Sequence, residues 1–179
     1  IASTALITGG LHEEGLANTM DGLFTGTRPD NRLHVIREAQ LGTFGMLALM
    51  FVVGLKVAAL ETIEPGSAAA SLIAAEVAGR SALPAMLFTI PPARSDGVSF
   101  QAGKPQRDQV GLAILLGSAL VLLMLGIGSA IIAILVAAAV GMLIARTAKA
   151  RGGGHTGDML GAMEEIVSTA VLLVAAAMA

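Results

Sequence analysis

The sequence predicts an all-α, polytopic membrane protein: a helical bundle of about five full spans preceded by an N-terminal stub. Three observations predict it. Of 179 residues, 55% are hydrophobic and 13% charged, against roughly 25% charged in soluble domains. Mean hydropathy is +0.79. Several apolar runs reach about 20 residues, enough for a helix to cross the hydrocarbon core. Finally, basic residues alternate between connections. One group holds Arg28, Arg32 and Arg37, a second Arg94, Lys104 and Arg107, and a third Arg146, Lys149 and Arg151, while the turns at 61–67 and 126–129 carry no Lys or Arg. The positive-inside rule puts the three basic groups on the cytoplasmic face.

Composition excludes other classes. A net charge of -2 gives no field to gather nucleic acid. With no cysteine there is neither a disulfide framework nor a thiolate metal site. Trp and Tyr are absent, so the usual interfacial aromatic belt is missing.

The elements follow in order. The chain starts with Ile1, and residues 1–7 read as the end of an apolar segment, so an N-terminally truncated chain is expected. Residues 41–60 form the first complete span, with Lys56 near its far end, where it is expected to snorkel. A turn at 61–67 contains Pro65 and Gly66. The next span, 68–90, contains Glu76, Arg80 and Pro84. A polar loop is expected over 91–109. The apolar stretch 110–145 is too long for one span and is expected to divide near Gly126 and Gly128 into two short antiparallel spans. A basic, Gly-rich loop is expected over 146–157, and the last span over 159–178, with Glu164 and Glu165 near its start. Gly, Ala and Ser in the spans suit close helix packing in lipid.

Residues 8–45 are polar in an otherwise apolar chain, gathering His12, Glu13, Glu14, Asn18, Asp21, Arg37 and Glu38. If 11–23 is helical, Glu14, Asn18 and Asp21 follow i, i+4, i+7 and lie on one face. Their oxygens suit a hard cation such as Mg²⁺; an exposed polar face is the plainer alternative. His12 is a candidate general base or phosphate donor, or a structural histidine at a helix start. Arg37 is a candidate phosphate clamp or a topology anchor.

A second constellation, GGGHTGDMLGAMEE at 152–165, places glycines and Thr156 before a helix, where backbone N–H groups can meet an anion. Asp158 and Glu165 are i and i+7. A capped Gly-rich linker is the alternative, and the Gly-Lys-Ser/Thr ending of a Walker A loop is missing. Glu76 and Arg80, spaced i, i+4, either pair in the bilayer or line a polar substrate cavity. PPARSDG at 91–97 is a rigid turn carrying Arg94.

Together these motifs resemble the cobalamin synthase family, the adenosylcobinamide-GDP ribazoletransferases. The resemblance is carried by TGGLHEEGLANTMDG (8–22), IREAQLGTFG (36–45) and HTGDMLGAMEE (155–165), in the family's order and with its intervening spans. AGRSALP and PPARSDG resemble its middle segment. It implies a single transferase domain over 1–179, lacking about a quarter of the family length at the N-terminus. It also implies a multi-pass protein of a bacterial or archaeal cell membrane, the inner membrane in Gram-negative cells, with a cytoplasmic active site. The implied reaction joins adenosylcobinamide-GDP to α-ribazole or its 5′-phosphate and releases GMP, with Mg²⁺ as cofactor and the lipid bilayer as surroundings. A homo-oligomer is left open.

On that resemblance, the expected metal ligands are Glu14, Asn18, Asp21 and Asp158. His12 and Glu38 are expected to position or deprotonate the nucleophile beside Arg37. Arg37, Arg80, Arg94, Thr156 and Gly157 are expected to bind substrate. Departures from the family pattern lie at these positions: Glu14, Asn18 and Glu38 stand where Asp is usual, Gln40 where Arg is usual, and Ser168 near a family Glu. Two alternatives carry different chemistry. One is a CDP-alcohol-type membrane phosphotransferase, whose full acidic signature is missing here. The other is a transporter in which Lys56, Glu76 and Arg80 mark a polar pathway.

Overall fold

The computed structural model describes residues 1–24, 33, 36 and 41–179. Its helices are α1 (Ala2–Thr8), α2 (Leu11–Phe24), α3 (Thr43–Thr62), α4 (Pro65–Thr89), α5 (Val98–Ala102), α6 (Arg107–Gly152) and α7 (Gly157–Ala177). Four of these, α3, α4, α6 and α7, are long and apolar enough to cross a membrane.

α6 has 46 residues and would be about 69 Å long if straight. It is not straight. Gly126 has φ 73° and ψ 170°, a conformation open essentially only to glycine. The two arms then lie beside the same part of α4. A Cβ built on Gly117 would meet the Ser81 side chain, and one on Gly141 would lie 3.9 Å from Ala82 Cβ. Glycines separated by more than six helical turns thus face adjacent residues of α4, so the chain reverses at Gly126. The expected antiparallel pair is present, and with α3, α4 and α7 it completes five spanning segments.

Two boundaries differ from expectation. The basic segment 146–152 is helix, not loop, so Arg146, Lys149 and Arg151 stand on the last turns of α6. Cations are favoured there by the carbonyl end of the helix, and Gly153, at φ 75°, ends it. Arg151 also donates to the Leu23 carbonyl (3.3 Å) and lies 4.7 Å from the Phe24 ring centre, fastening the end of α2. Within 91–109, the polar connection contains the short α5 and gives way to α6 at Arg107.

α7 is the centre of the bundle. Of its apolar window, 67% is buried, against 28% or less in the other three long helices. Met159, Met163, Val167, Val171 and Leu172 pack there against Ala74, Ala75 and Ala78 of α4 and Val121, Ala130 and Ala133 of α6. Small residues bring backbones close. A Cβ on Gly79 would stand 2.7 Å from the Glu164 carbonyl oxygen, and one on Gly15 would stand 2.7 Å from that of Asp158. The outer faces of α3 and α6 leave Phe51, Leu115, Leu123, Ile127 and Leu143 exposed, as lipid-facing surfaces require.

The polar segments gather at one end. The His155 N–H donates to the Pro91 carbonyl (3.0 Å), and the Ala93 N–H to the His155 carbonyl (2.9 Å). Alternating spans then carry the turn before Pro65 and the Gly126 reversal to the opposite end.

Candidate active site

α2 runs antiparallel to the first half of α7, with Asn18 beside Asp158 and His12 beside Gly161. The two helices touch through glycines: a Cβ on Gly161 would lie 3.2 Å from His12 Cα. This close approach joins motifs far apart in sequence. Asn18 Nδ2 donates to Asp158 Oδ1 at 3.0 Å, across 140 residues. Asp158 stands in the first turn of α7, where the helix N-terminus favours negative charge.

The row Glu14, Asn18, Asp21 does not act as one unit. Asp21 is buried, and both its carboxylate oxygens accept backbone hydrogen bonds. Oδ2 takes the Gly42 N–H at 2.7 Å and Oδ1 the Gly45 N–H at 2.9 Å. Asp21 therefore supplies from another helix the cap that Gly42, the N-cap of α3, cannot supply itself. Glu14 is exposed on α2. Thr156 is the N-cap of α7, its Oγ1 accepting the Met159 N–H at 3.2 Å, and Gly157 beside it is exposed. Arg94 follows the residue bridged to His155, and its Nε lies 3.7 Å from Asp96. Arg37 and Glu38 lie outside the described residues.

Deeper in the bundle is a second charged group that the sequence reading did not assemble. Lys56 does not snorkel. It is 3% exposed, with its Nζ 2.8 Å from Glu165 Oε2 and 3.8 Å from Glu76 Oε1. Arg80 does pair with Glu76, at 2.5 Å, and its Nη1 also reaches Glu164 Oε1 at 2.8 Å. His12 Nδ1 lies 3.3 Å from Glu164 Oε2. Burial, and then the Arg80 guanidinium, hold the His12 pKa below its ordinary value, favouring neutral imidazole. Burial likewise lowers that of His155. From helix rise, Glu165 stands about 12 Å and Lys56 about 20 Å along their helices from the polar end. The signal for this group was available: five ionisable residues in apolar spans require partners. Sequence spacing pairs only Glu76 with Arg80.

For Mg²⁺, the donor chemistry at the polar end fits. Glu14, Asn18 and Asp158 present only oxygen acceptors, as a hard ion prefers. The Asn18–Asp158 hydrogen bond leaves Asn18 Oδ1 and Asp158 Oδ2 for other partners.

Apolar spans enclosing a charged centre, with motif segments converging at one end, define a polytopic helical membrane protein with a built polar site. Residues 1–176 match the family described as cobalamin-5-phosphate synthase, and the chain belongs to that family. It is similar to three proteins named adenosylcobinamide-GDP ribazoletransferase. That of Bradyrhizobium diazoefficiens is 42% identical over 99% of this chain and 68% of the relative. That of Brucella anthropi is 40% identical over 96% of this chain and 69% of the relative. That of Azorhizobium caulinodans is 36% identical over 97% and 68%. No solved structure matches.

Proposed function

We propose that this chain is an adenosylcobinamide-GDP ribazoletransferase, joining adenosylcobinamide-GDP to α-ribazole or its 5′-phosphate with release of GMP. Membership of the family supports the reaction. The observation that carries the site is the Asn18–Asp158 hydrogen bond, which unites the two acidic motifs beside the N-terminus of α7.

In this reading an oxygen of the ribazole substrate forms a bond to the phosphorus retained by cobinamide. The bond from that phosphorus to the bridging oxygen breaks, and the bridging oxygen leaves with GMP. Glu14, Asn18 and Asp158 are assigned as the holders of Mg²⁺, which when bound supplies charge neutralisation for the diphosphate. Asp21 holds the start of α3 in place. Arg37 and Arg94 are assigned to the phosphate oxygens, and Thr156 and Gly157 to the shape of the α7 entrance. His12 lies six residues from Asn18, about 9 Å along α2, and faces the deeper group. Proton removal from the nucleophile is therefore assigned to Glu38, and Arg80 to holding Glu76 and Glu164.

Asn18→Asp tests the metal assignment. It would set two carboxylates where a hydrogen bond now spans 3.0 Å, a repulsion that a divalent cation relieves. Turnover in the full-length protein is expected to require less Mg²⁺ for half-activation, and to match or exceed the parent at saturation. Superimposable Mg²⁺ titrations would remove Asn18 from the metal site.

The polar end is assigned to the cytoplasm on the distribution of Lys and Arg. Cysteines introduced at Ser95 and Gly153 are expected to react only with reagent supplied from the cytoplasmic side, and one at Gly66 only from the other. The reverse pattern would overturn the orientation.

A further inference from the structure

Among the described residues, the deeper group holds more carboxylates than cations. Glu76, Glu164 and Glu165 face Lys56 and Arg80. Glu13 adds a fourth carboxylate, whose field reaches both His12 and Glu165. Ionising all four would leave two negative charges that these two cations do not balance. Inside an apolar bundle such an excess is costly.

Two further observations say where the excess is focused. Glu164 is fully buried, and its Oε2 accepts no hydrogen bond although Oε1 is bound by Arg80. A buried carboxylate oxygen without a donor is a costly arrangement unless something else occupies its lone pairs. That oxygen faces His12 Nδ1. In addition, one ligand atom each from His12, Glu164 and Glu165 lie within 4.8 Å of one another. Donor atoms around an ion held at about 2.1 Å stand roughly 3–4 Å apart, so modest rotamer closure forms a site. No other group of three among the described residues meets this spacing.

We infer that His12, Glu164 and Glu165 form a divalent-cation site inside the bundle, separate from the Asn18–Asp158 pair, with Glu13 as a further carboxylate nearby. One dication would balance two of these carboxylates once they ionise. The donor set of one imidazole nitrogen and two carboxylates favours a transition ion such as Mn²⁺ over Mg²⁺, which takes oxygen donors and keeps its waters. The ion ties α2 to α7. Through Lys56 and Arg80, whose partners are its ligands, it also fixes α3 and α4. Entry is open along His12, whose side chain is 14% exposed. The site does not depend on the transferase reading, because it needs no corrinoid or nucleotide.

The test uses the full-length protein in lipid nanodiscs, stripped with chelator and titrated with Mn²⁺ alone, reading free Mn²⁺ by electron paramagnetic resonance. One Mn²⁺ per chain is expected to stay bound in a tenfold excess of Mg²⁺, which competes for the oxygens of Glu14, Asn18 and Asp158. The bound ion is expected to show coupling to an imidazole nitrogen in pulsed spectra, a measurement that needs no variant. Glu164→Gln and His12→Gln are each expected to weaken this Mg²⁺-resistant Mn²⁺ binding at least tenfold, whereas Asp158→Asn leaves it unchanged. Mn²⁺ is expected to raise the melting temperature of the parent chain but not of Glu164→Gln. Absence of bound Mn²⁺, absence of nitrogen coupling, or binding that survives both substitutions would overturn the site. If protons balance the cluster instead, the parent chain retains no Mn²⁺ against the Mg²⁺ excess.

Discussion

Replacing Asp158 with alanine is expected to lower turnover by about 10²–10³-fold, the usual cost of removing one well-placed electrostatic contact to a transferring group. Its carboxylate stands at the N-terminus of the central helix and binds Asn18 from the other acidic motif. It thus stands on one motif-bearing helix and bonds the other. Its structural burden is small, a single side-chain hydrogen bond, so the free energy of unfolding is expected to fall by only about 1–2 kcal/mol. Asp21→Ala is the contrasting case. Both Asp21 oxygens accept N–H groups at the start of α3. Their loss is expected to destabilise the fold by about 1–3 kcal/mol or more, with loss of activity following loss of structure. Measuring turnover and thermal unfolding on both variants separates the roles. Near-normal turnover in Asp158→Ala would remove it from the site.

Lys56→Met is expected to destabilise the bundle by about 3–5 kcal/mol, the range for removing one partner of a buried ion pair. Lys56 is the nearest cation to Glu165 and also faces Glu76. Without it, Glu165 keeps its buried position and loses its charge-assisted hydrogen bond. The double variant Lys56→Met/Glu165→Gln is expected to recover most of the loss, because the stranded charge goes with its partner. Thermal unfolding of the two variants in the same nanodiscs reads the difference. A single variant as stable as the parent chain would show that the pair does not hold the helices together.

Composition and hydropathy were enough to read the class, the spans and the reversal at Gly126, because these are local properties. An apolar run of about 20 residues has few alternatives in lipid, and a long apolar stretch interrupted by glycines invites a break. The resemblance likewise rested on motifs in chain order. The site was only partly legible. Glu14, Asn18 and Asp21 share a helical face, yet at about 100° per residue Asn18 and Asp21 diverge by about 60° and sit about 4.5 Å apart along the axis. That is enough for Asn18 to meet α7 while Asp21 meets the start of α3. Nothing in the spacing could say which helix would stand on either side. Lys56 shows the same limit. Its position near the end of a span suits snorkelling as well as pairing, and the outcome depends on Glu165, 109 residues away. Helical periodicity tells a residue's direction from its own axis. Which charge waits in that direction is set by how glycines such as Gly15, Gly79 and Gly161 let the helices close. The sequence alone thus determined the membrane fold and its motifs, while packing decided which oxygens, nitrogens and charges meet.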